Sequence, residues 1–285
     1  MTMKAILVPL EESDGVPSML ETACLAAQRF GSHIDGLYIR RALPGVVVAD
    51  IGGYAAATPD LMQSFEEEDR QRGERMRTSF EEFMRKKGVP LGAPGDGGPS
   101  AAWTVDNPPG DAALGMLART FDLTVVGRPV GGAGAPAMST LESVLFDSGR
   151  PVLIAPPVPT KTLAEVVVIS WNGSTETARA VALAMPFLVT ARRTVVLAVE
   201  GVMVPGPRAD EVARNLERNG IPAKTREIPA GGRGGGEVIL SEAGALGADL
   251  LIKGAYTHSR LRQMIFGGAT SHILDQAQIP VLMAH

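Results

Sequence analysis

The sequence predicts an α/β protein in which a doubly wound, parallel sheet is built twice. Three observations predict it. Apolar runs of strand length alternate with longer stretches whose apolar residues recur at helical spacing. Strand, helix, strand in succession implies parallel pairing through right-handed crossovers. The whole pattern restarts after residue 160, which makes the chain an internal repeat.

Taken in order, Lys4–Leu10 is an apolar run that turns acidic at Glu11 and Glu12, as a strand covered on both faces would. Leu20, Ala23, Cys24 and Ala27 then share one face of a helix over Pro17–Phe30, with Gly31 placed to end it. His33–Ile39 is a second strand. Ala42–Pro59 has no firm period. Asp60–Lys87 is strongly charged, yet Met76, Phe80, Phe83 and Met84 share a face, which predicts a long amphipathic helix lying on the sheet. After a Gly/Pro loop come a strand at Ser100–Val105, a helix at Gly110–Thr120, a strand at Leu123–Val126, a helix at Ser139–Asp147 and a strand at Pro151–Ala155. Pro156–Thr160 reads as a linker. The second round predicts strands at Glu165–Ser170, Thr194–Val199, Ala223–Ile228, Leu250–Ile252 and Pro280–Ala284. Helices are predicted at Thr175–Leu188, Arg208–Asn219 and Glu237–Leu246, with Ser174 as an N-cap, and a further helix after Gly267 and Gly268.

The two rounds align on themselves. Ile6–Ser13 matches Val167–Ser174, Asp122–Gly127 matches Asp249–Gly254, and Pro151–Ala155 matches Pro280–Ala284. Ser13 and Gly127 lie 114 positions apart and Ser174 and Gly254 80, so the first copy carries 34 extra residues, placed within residues 42–99.

Composition narrows the class. The chain has 285 residues, 45% hydrophobic and 20% charged, which suits a water-soluble protein of two domains. A net charge of −4 argues against a chain built to hold nucleic acid. Cys24 is the only cysteine, so no intrachain disulfide forms, a reducing compartment fits, and its helical stripe marks it as core filler. The N-terminus lacks a signal peptide's apolar region, and the longest apolar run, Ala180–Val189, is too short to span a bilayer. The expectation is a cytoplasmic protein.

Chemistry concentrates in Asp249–His285. A strand stops at Gly254, a loop with His258, Arg260 and Arg262 follows, and a helix starts after Gly267-Gly268. In a doubly wound sheet, ligands sit beyond the carboxyl ends of the strands where strand order reverses. A glycine there admits backbone N–H groups to a phosphate, and a helix start adds free donors and partial positive charge. The same glycines also serve turns for backbone reasons alone. GxxxxGK[ST] is absent, and Gly131–Gly134 and Gly231–Gly236 do not fit GxGxxG, so both read as loops.

On these motifs each copy resembles the universal stress protein (UspA) domain, and the whole chain a tandem member of that family. The family's nucleotide motif is Gly, two residues, Gly, nine residues, Gly, then Ser or Thr. Here Gly254 and Gly267 keep the first and third glycines, Thr257 takes the second, and Gly268 stands where Ser or Thr is usual, with Thr270 and Ser271 close behind. Asn172 occupies the place of the family's acidic residue after strand one. In the first copy Gly127 stands, but Val130 and Thr140 replace the later glycines, while Glu11 keeps the carboxylate. The resemblance implies two Usp-like (adenine nucleotide alpha hydrolase-like) domains, residues 1–156 and 163–285, each a doubly wound five-stranded parallel sheet of order 3-2-1-4-5. It implies a pseudo-dimer of the two copies packed through their closing strands, and leaves a homodimer of chains open. It also implies ATP, with Mg²⁺ accompanying it, in the second copy, since some members bind ATP and others lack the motif. The expected site is Asn172, Gly254, Thr257, Gly267, Gly268 and Thr270, with no ATP bound in the usual way by the first copy.

Other chemistry is thin. His33, His258, His272 and His285 form no zinc pattern, and Ser13 and Ser174 lie in no GxSxG. Trp103 and Trp171 read as packing residues. With no general base or nucleophile in place, a binding module ranks ahead of an enzyme, whose most would be slow ATP hydrolysis. A nucleotide-free module acting through its surface, in particular the long inserted helix, is the alternative.

Overall fold

The structure is a computed structural model that describes residues 3–39, 47–49, 53–55, 59–95, 97–104, 111–129, 137–255 and 268–285. Its first half runs β1 (Ala5–Leu10), α1 (Val16–Phe30), β2 (His33–Tyr38), a small antiparallel pair β3 (Val47–Ala49) and β4 (Gly53–Ala55), α2 (Pro59–Lys86), β5 (Ser100–Thr104), α3 (Asp111–Leu117) with a 3₁₀ turn at Ala118–Thr120, β6 (Leu123–Val126), α4 (Met138–Asp147) and β7 (Val152–Ile154). The second half runs β8 (Val166–Trp171), α5 (Thr175–Leu183), α6 (Met185–Thr190), β9 (Arg193–Val199), α7 (Ala209–Arg218), β10 (Ala223–Ile228), α8 (Gly235–Ala245), β11 (Leu250–Gly254), α9 (Gly268–Gln276) and β12 (Val281–Ala284).

Ten strands form one sheet in the order β10-β9-β8-β11-β12-β7-β6-β1-β2-β5. Counted within each half, both orders are 3-2-1-4-5. Strands within a half pair parallel. The closing strands β7 and β12 meet antiparallel, Val281 opposite Ile154 and Leu282 opposite Leu153. The join uses two edges that would otherwise expose unpaired N–H and C=O groups.

The central strands β1, β6, β7, β8, β11 and β12 are buried on both faces because they are mostly apolar, while the edge strand β10 is largely exposed, and side-chain alternation feeds two cores. On β1, Ile6, Val8 and Leu10 belong to one core and Leu7 to the other. The first core lies under α1, α2 and α5 to α7, the second under α3, α4, α8 and α9. Helix α1 also crosses to the second half. Its Phe30 ring meets Phe187 of α6 edge-on, centroids 4.9 Å apart. Arg29 donates to Glu165 at 2.7 Å, to the Leu163 carbonyl at 2.8 Å and to Thr190 Oγ1 at 2.7 Å.

Helix α2 uses its apolar face on the sheet. Phe80 and Met84 are fully buried, Met76 and Phe83 pack beside them, and Phe80 tilts against Trp103 at 5.6 Å. The exposed side carries the near-sequence ion pairs Glu67–Arg70 and Arg77–Glu81–Arg85, and Glu68–Arg72 flanks the apolar face one turn before Met76. Cys24 is buried with its Sγ 3.6 Å from Met84 Sδ, and burial pushes its thiol up to about 12. Because the thiolate is the reactive form, a thiol reagent at about pH 8 should label Cys24 only on unfolding. Native labelling at the rate of a free cysteine would contradict that burial.

Two expected elements differ from the structure. The single helix expected over Thr175–Leu188 is two, α5 and α6, which meet at Ala184 (φ −85°, ψ 0°). Pro186 has no N–H and its ring collides with the preceding turn, so it serves as an early residue of a new helix instead. The glycine run Gly231–Gly236 is not all loop, since Gly235 and Gly236 open α8. A Cβ on Gly236 would stand 2.8 Å from the Ala269 carbonyl oxygen, so the glycine lets α8 close onto α9. Among the described residues, no helix is long and apolar enough to cross a membrane.

Candidate functional site

Strand order reverses between β8 and β11, the first and fourth strands of the second half, and their carboxyl ends hold most of the expected site. Just past β8, Asn172 folds back on the helix that follows. Its Oδ1 accepts from Ser174 N–H at 3.2 Å and from Thr177 Oγ1 at 2.6 Å. Ser174 caps α5, its Oγ accepting from Thr177 N–H at 3.2 Å. The acceptor of Asn172 is thus committed to the turn, and its Nδ2 is the group left for a ligand.

Gly254, the last residue of β11, lies against the same turn. A Cβ there would stand 2.4 Å from Thr177 N and 2.6 Å from the Glu176 carbonyl carbon. Its first duty is therefore to let the α5 N-terminus reach the sheet, a packing role that spacing alone did not separate from phosphate binding.

Gly268 opens α9 at φ 34°, and Thr270 follows in its first turn. Thr270 is tied to β11 by a residue absent from the expected set. Lys253 is buried, and its Nζ donates to Thr270 Oγ1 at 2.8 Å and to the Gly254 carbonyl at 2.9 Å. Burial alone lowers its ammonium to about 8. The chain Asn172, Thr177, Gly254, Lys253, Thr270 is continuous across the switch point. Thr257 and Gly267, with His258, Arg260 and Arg262, lie outside the described residues. Lys253 had a signal in the sequence, a lone cation in the otherwise apolar run Leu250–Gly254. Thr177 had none, because its part depends on how closely α5 approaches β11.

The first copy treats the equivalent place differently. Glu11, the counterpart of Asn172, turns its Oε1 onto the Ala137 N–H at 2.7 Å, with Thr140 Oγ1 at 3.5 Å. Ala137 is the N-cap residue of α4, so the chain's own carboxylate occupies the helix start where an anion would bind. Glu11→Gln should cost about 1 kcal/mol by weakening a charge-assisted bond. Unfolding in denaturant would show it, and an unchanged midpoint would show the contact to be idle. Among the described residues no three His, Cys, Asp or Glu side chains gather as a metal would require.

Residues 191–285 match the model of the universal stress protein family. That segment is a universal stress protein domain. It contains Lys253, Gly254, Gly268 and Thr270, and begins after Asn172. The whole chain also shares its fold with solved universal stress proteins. One from Archaeoglobus fulgidus DSM 4304 superimposes with a TM-score of 0.73 over 100% of this chain and 99% of that one, at 15% identity. A putative universal stress protein from Pseudomonas aeruginosa UCBPP-PA14 gives 0.52 over 99% and 93%, at 15% identity. A functionally unknown protein from Pseudomonas aeruginosa PAO1 gives 0.53 over 99% and 92%, at 16% identity. Among curated protein sequences none matches significantly. At these identities the solved structures establish the fold of both halves.

Proposed function

We propose that the chain is a nucleotide-binding stress-response module, with one adenine-nucleotide site in the second copy and a first copy that serves as its built-in partner. The two units correspond to residues 1–156 and 163–285 and act in the cytoplasm. The carrying observation is the meeting of Asn172, Gly254 and the first turns of α5 and α9 at the reversal of strand order in a universal stress protein domain. Asn172 Nδ2 would donate to the ribose or base, and the first-turn amides of α9 with Thr270 would hold phosphate. ATP supplies a polyanion, with Mg²⁺ carried on its phosphates. In this reading Thr257 and Gly267 complete the cradle. Glu11 keeps the first copy from taking a second nucleotide.

Isothermal titration of the full chain with ATP and Mg²⁺ tests this. One site per chain in the micromolar range is expected, weakened severalfold in Asn172→Ala. No heat at high micromolar ATP would overturn the reading while leaving the fold intact.

A further inference from the structure

Lys253 stands apart from every other cation of the sheet. It is the penultimate residue of β11, flanked by Ile252 and Gly254, and its face of the strand is the one Leu251 shares with the second core. A side chain placed there by alternation should be apolar, and in the register Lys253 lies opposite Met283 of β12 and Ser170 of β8. Burying an ammonium is costly unless a counter-charge accompanies it. Among the described residues Nζ has a carbonyl and a hydroxyl as acceptors and no carboxylate in ion-pair reach. Two of its three N–H donors are therefore placed and the third is unspent.

Its position deepens the imbalance. Thr270, which receives one of those bonds, belongs to the first turn of α9, where the helix presents its partial positive end. Two positive features thus converge at the carboxyl end of a central strand, with no carboxylate paired to Lys253 among the described residues. The titratable side chains carried by the described elements around it are His272 and Asp275 on α9, Glu237 and Glu242 on α8, Glu176 and Arg179 on α5 across the sheet, and His285 beyond β12. None of them adds to burial as a cause of the lysine's lowered basicity.

We propose that Lys253 is the charge-pairing group for a phosphate of the bound nucleotide, so that the site selects nucleotides over nucleosides. This rests on the nucleotide reading above and adds to it the group that recognises the phosphate. A phosphate oxygen at the start of α9 would accept the third Nζ–H and the first-turn amides together. It would also supply the counter-charge that the described residues do not, which a neutral nucleoside cannot do.

The experiment titrates wild type, Lys253→Met and Lys253→Arg with ATP and with adenosine, with the melting temperature of each variant as a check on folding. Lys253→Met should lose about tenfold or more of its ATP affinity while adenosine binds within about twofold of wild type. Lys253→Arg should recover part of the ATP affinity. Equal ATP binding by wild type and Lys253→Met overturns the inference and leaves the nucleotide reading standing. Equal losses for ATP and adenosine also overturn it, since that pattern marks a merely structural lysine. Should wild type bind neither, the nucleotide reading fails, and pyrophosphate becomes the probe. Heat with wild type that vanishes in Lys253→Met would then retain Lys253 as a phosphate-pairing residue, and its absence would overturn both. A readout without substitution guards against a variant that does not fold. The Lys253 ¹³Cε resonance of wild type should titrate at higher pH when saturated with ATP, and an unmoved titration would overturn the proposal.

Discussion

Gly254→Val is expected to unfold the junction between β11 and α5 and to abolish nucleotide binding with it. The atoms that a Cβ would meet, Thr177 N at 2.4 Å and the Glu176 carbonyl carbon at 2.6 Å, are backbone. No rotamer change relieves them. Helix α5 would have to lift from the sheet, breaking the Asn172–Thr177 bond and opening Ala180 and Val181 to water. Overpacking costs about 1–3 kcal/mol where side chains can shift, and more where the obstacle is backbone. Gly254→Ala should therefore lose about 3 kcal/mol, and the valine variant more. Denaturant midpoints measure the cost, and an alanine variant as stable as wild type would show that α5 approaches β11 less closely than described.

Phe187→Ala should cost about 3–5 kcal/mol, the range for removing a fully buried phenylalanine. The ring is buried among residues of both halves and stacks edge-on with Phe30 of α1. Its loss would leave a cavity where the first helix crosses to the second half, so both halves should destabilise together. Arg29→Ala, which removes the pair with the half-exposed Glu165 and the bonds to Leu163 and Thr190, should cost less, about 1–2 kcal/mol. Equilibrium unfolding of both variants compares them directly. If Arg29→Ala proved the costlier, polar contacts and not the aromatic pair would hold that crossing.

Much of this was legible in the residues. Leu123–Val126 and Ala223–Ile228 announce their strands to the residue. Met76, Phe80, Phe83 and Met84 announce which face of α2 is buried. Pro186 was equally visible, but a proline inside an apolar helical run has two outcomes, a kink or a new start, and the packing of Phe187 selects between them. Gly235 and Gly236 look like loop by composition and are helical because α9 leaves no room for a side chain at Gly236. Glu11 was identified as the surviving carboxylate, but its hold on the α4 N-cap joins residues 126 positions apart.

The sequence by itself determined the repeat, the alternation of strand and helix, and the strand end at which a ligand would sit. Apolar periodicity and glycine placement are local, and each copy carries them independently. Only the tertiary structure decided that β7 and β12 meet antiparallel, that Gly254 first serves the approach of α5, and that Lys253 is buried beside α9 with no carboxylate partner among the described residues. Those facts are distances between segments far apart in the chain. They are fixed by how the layers close, which no local pattern encodes.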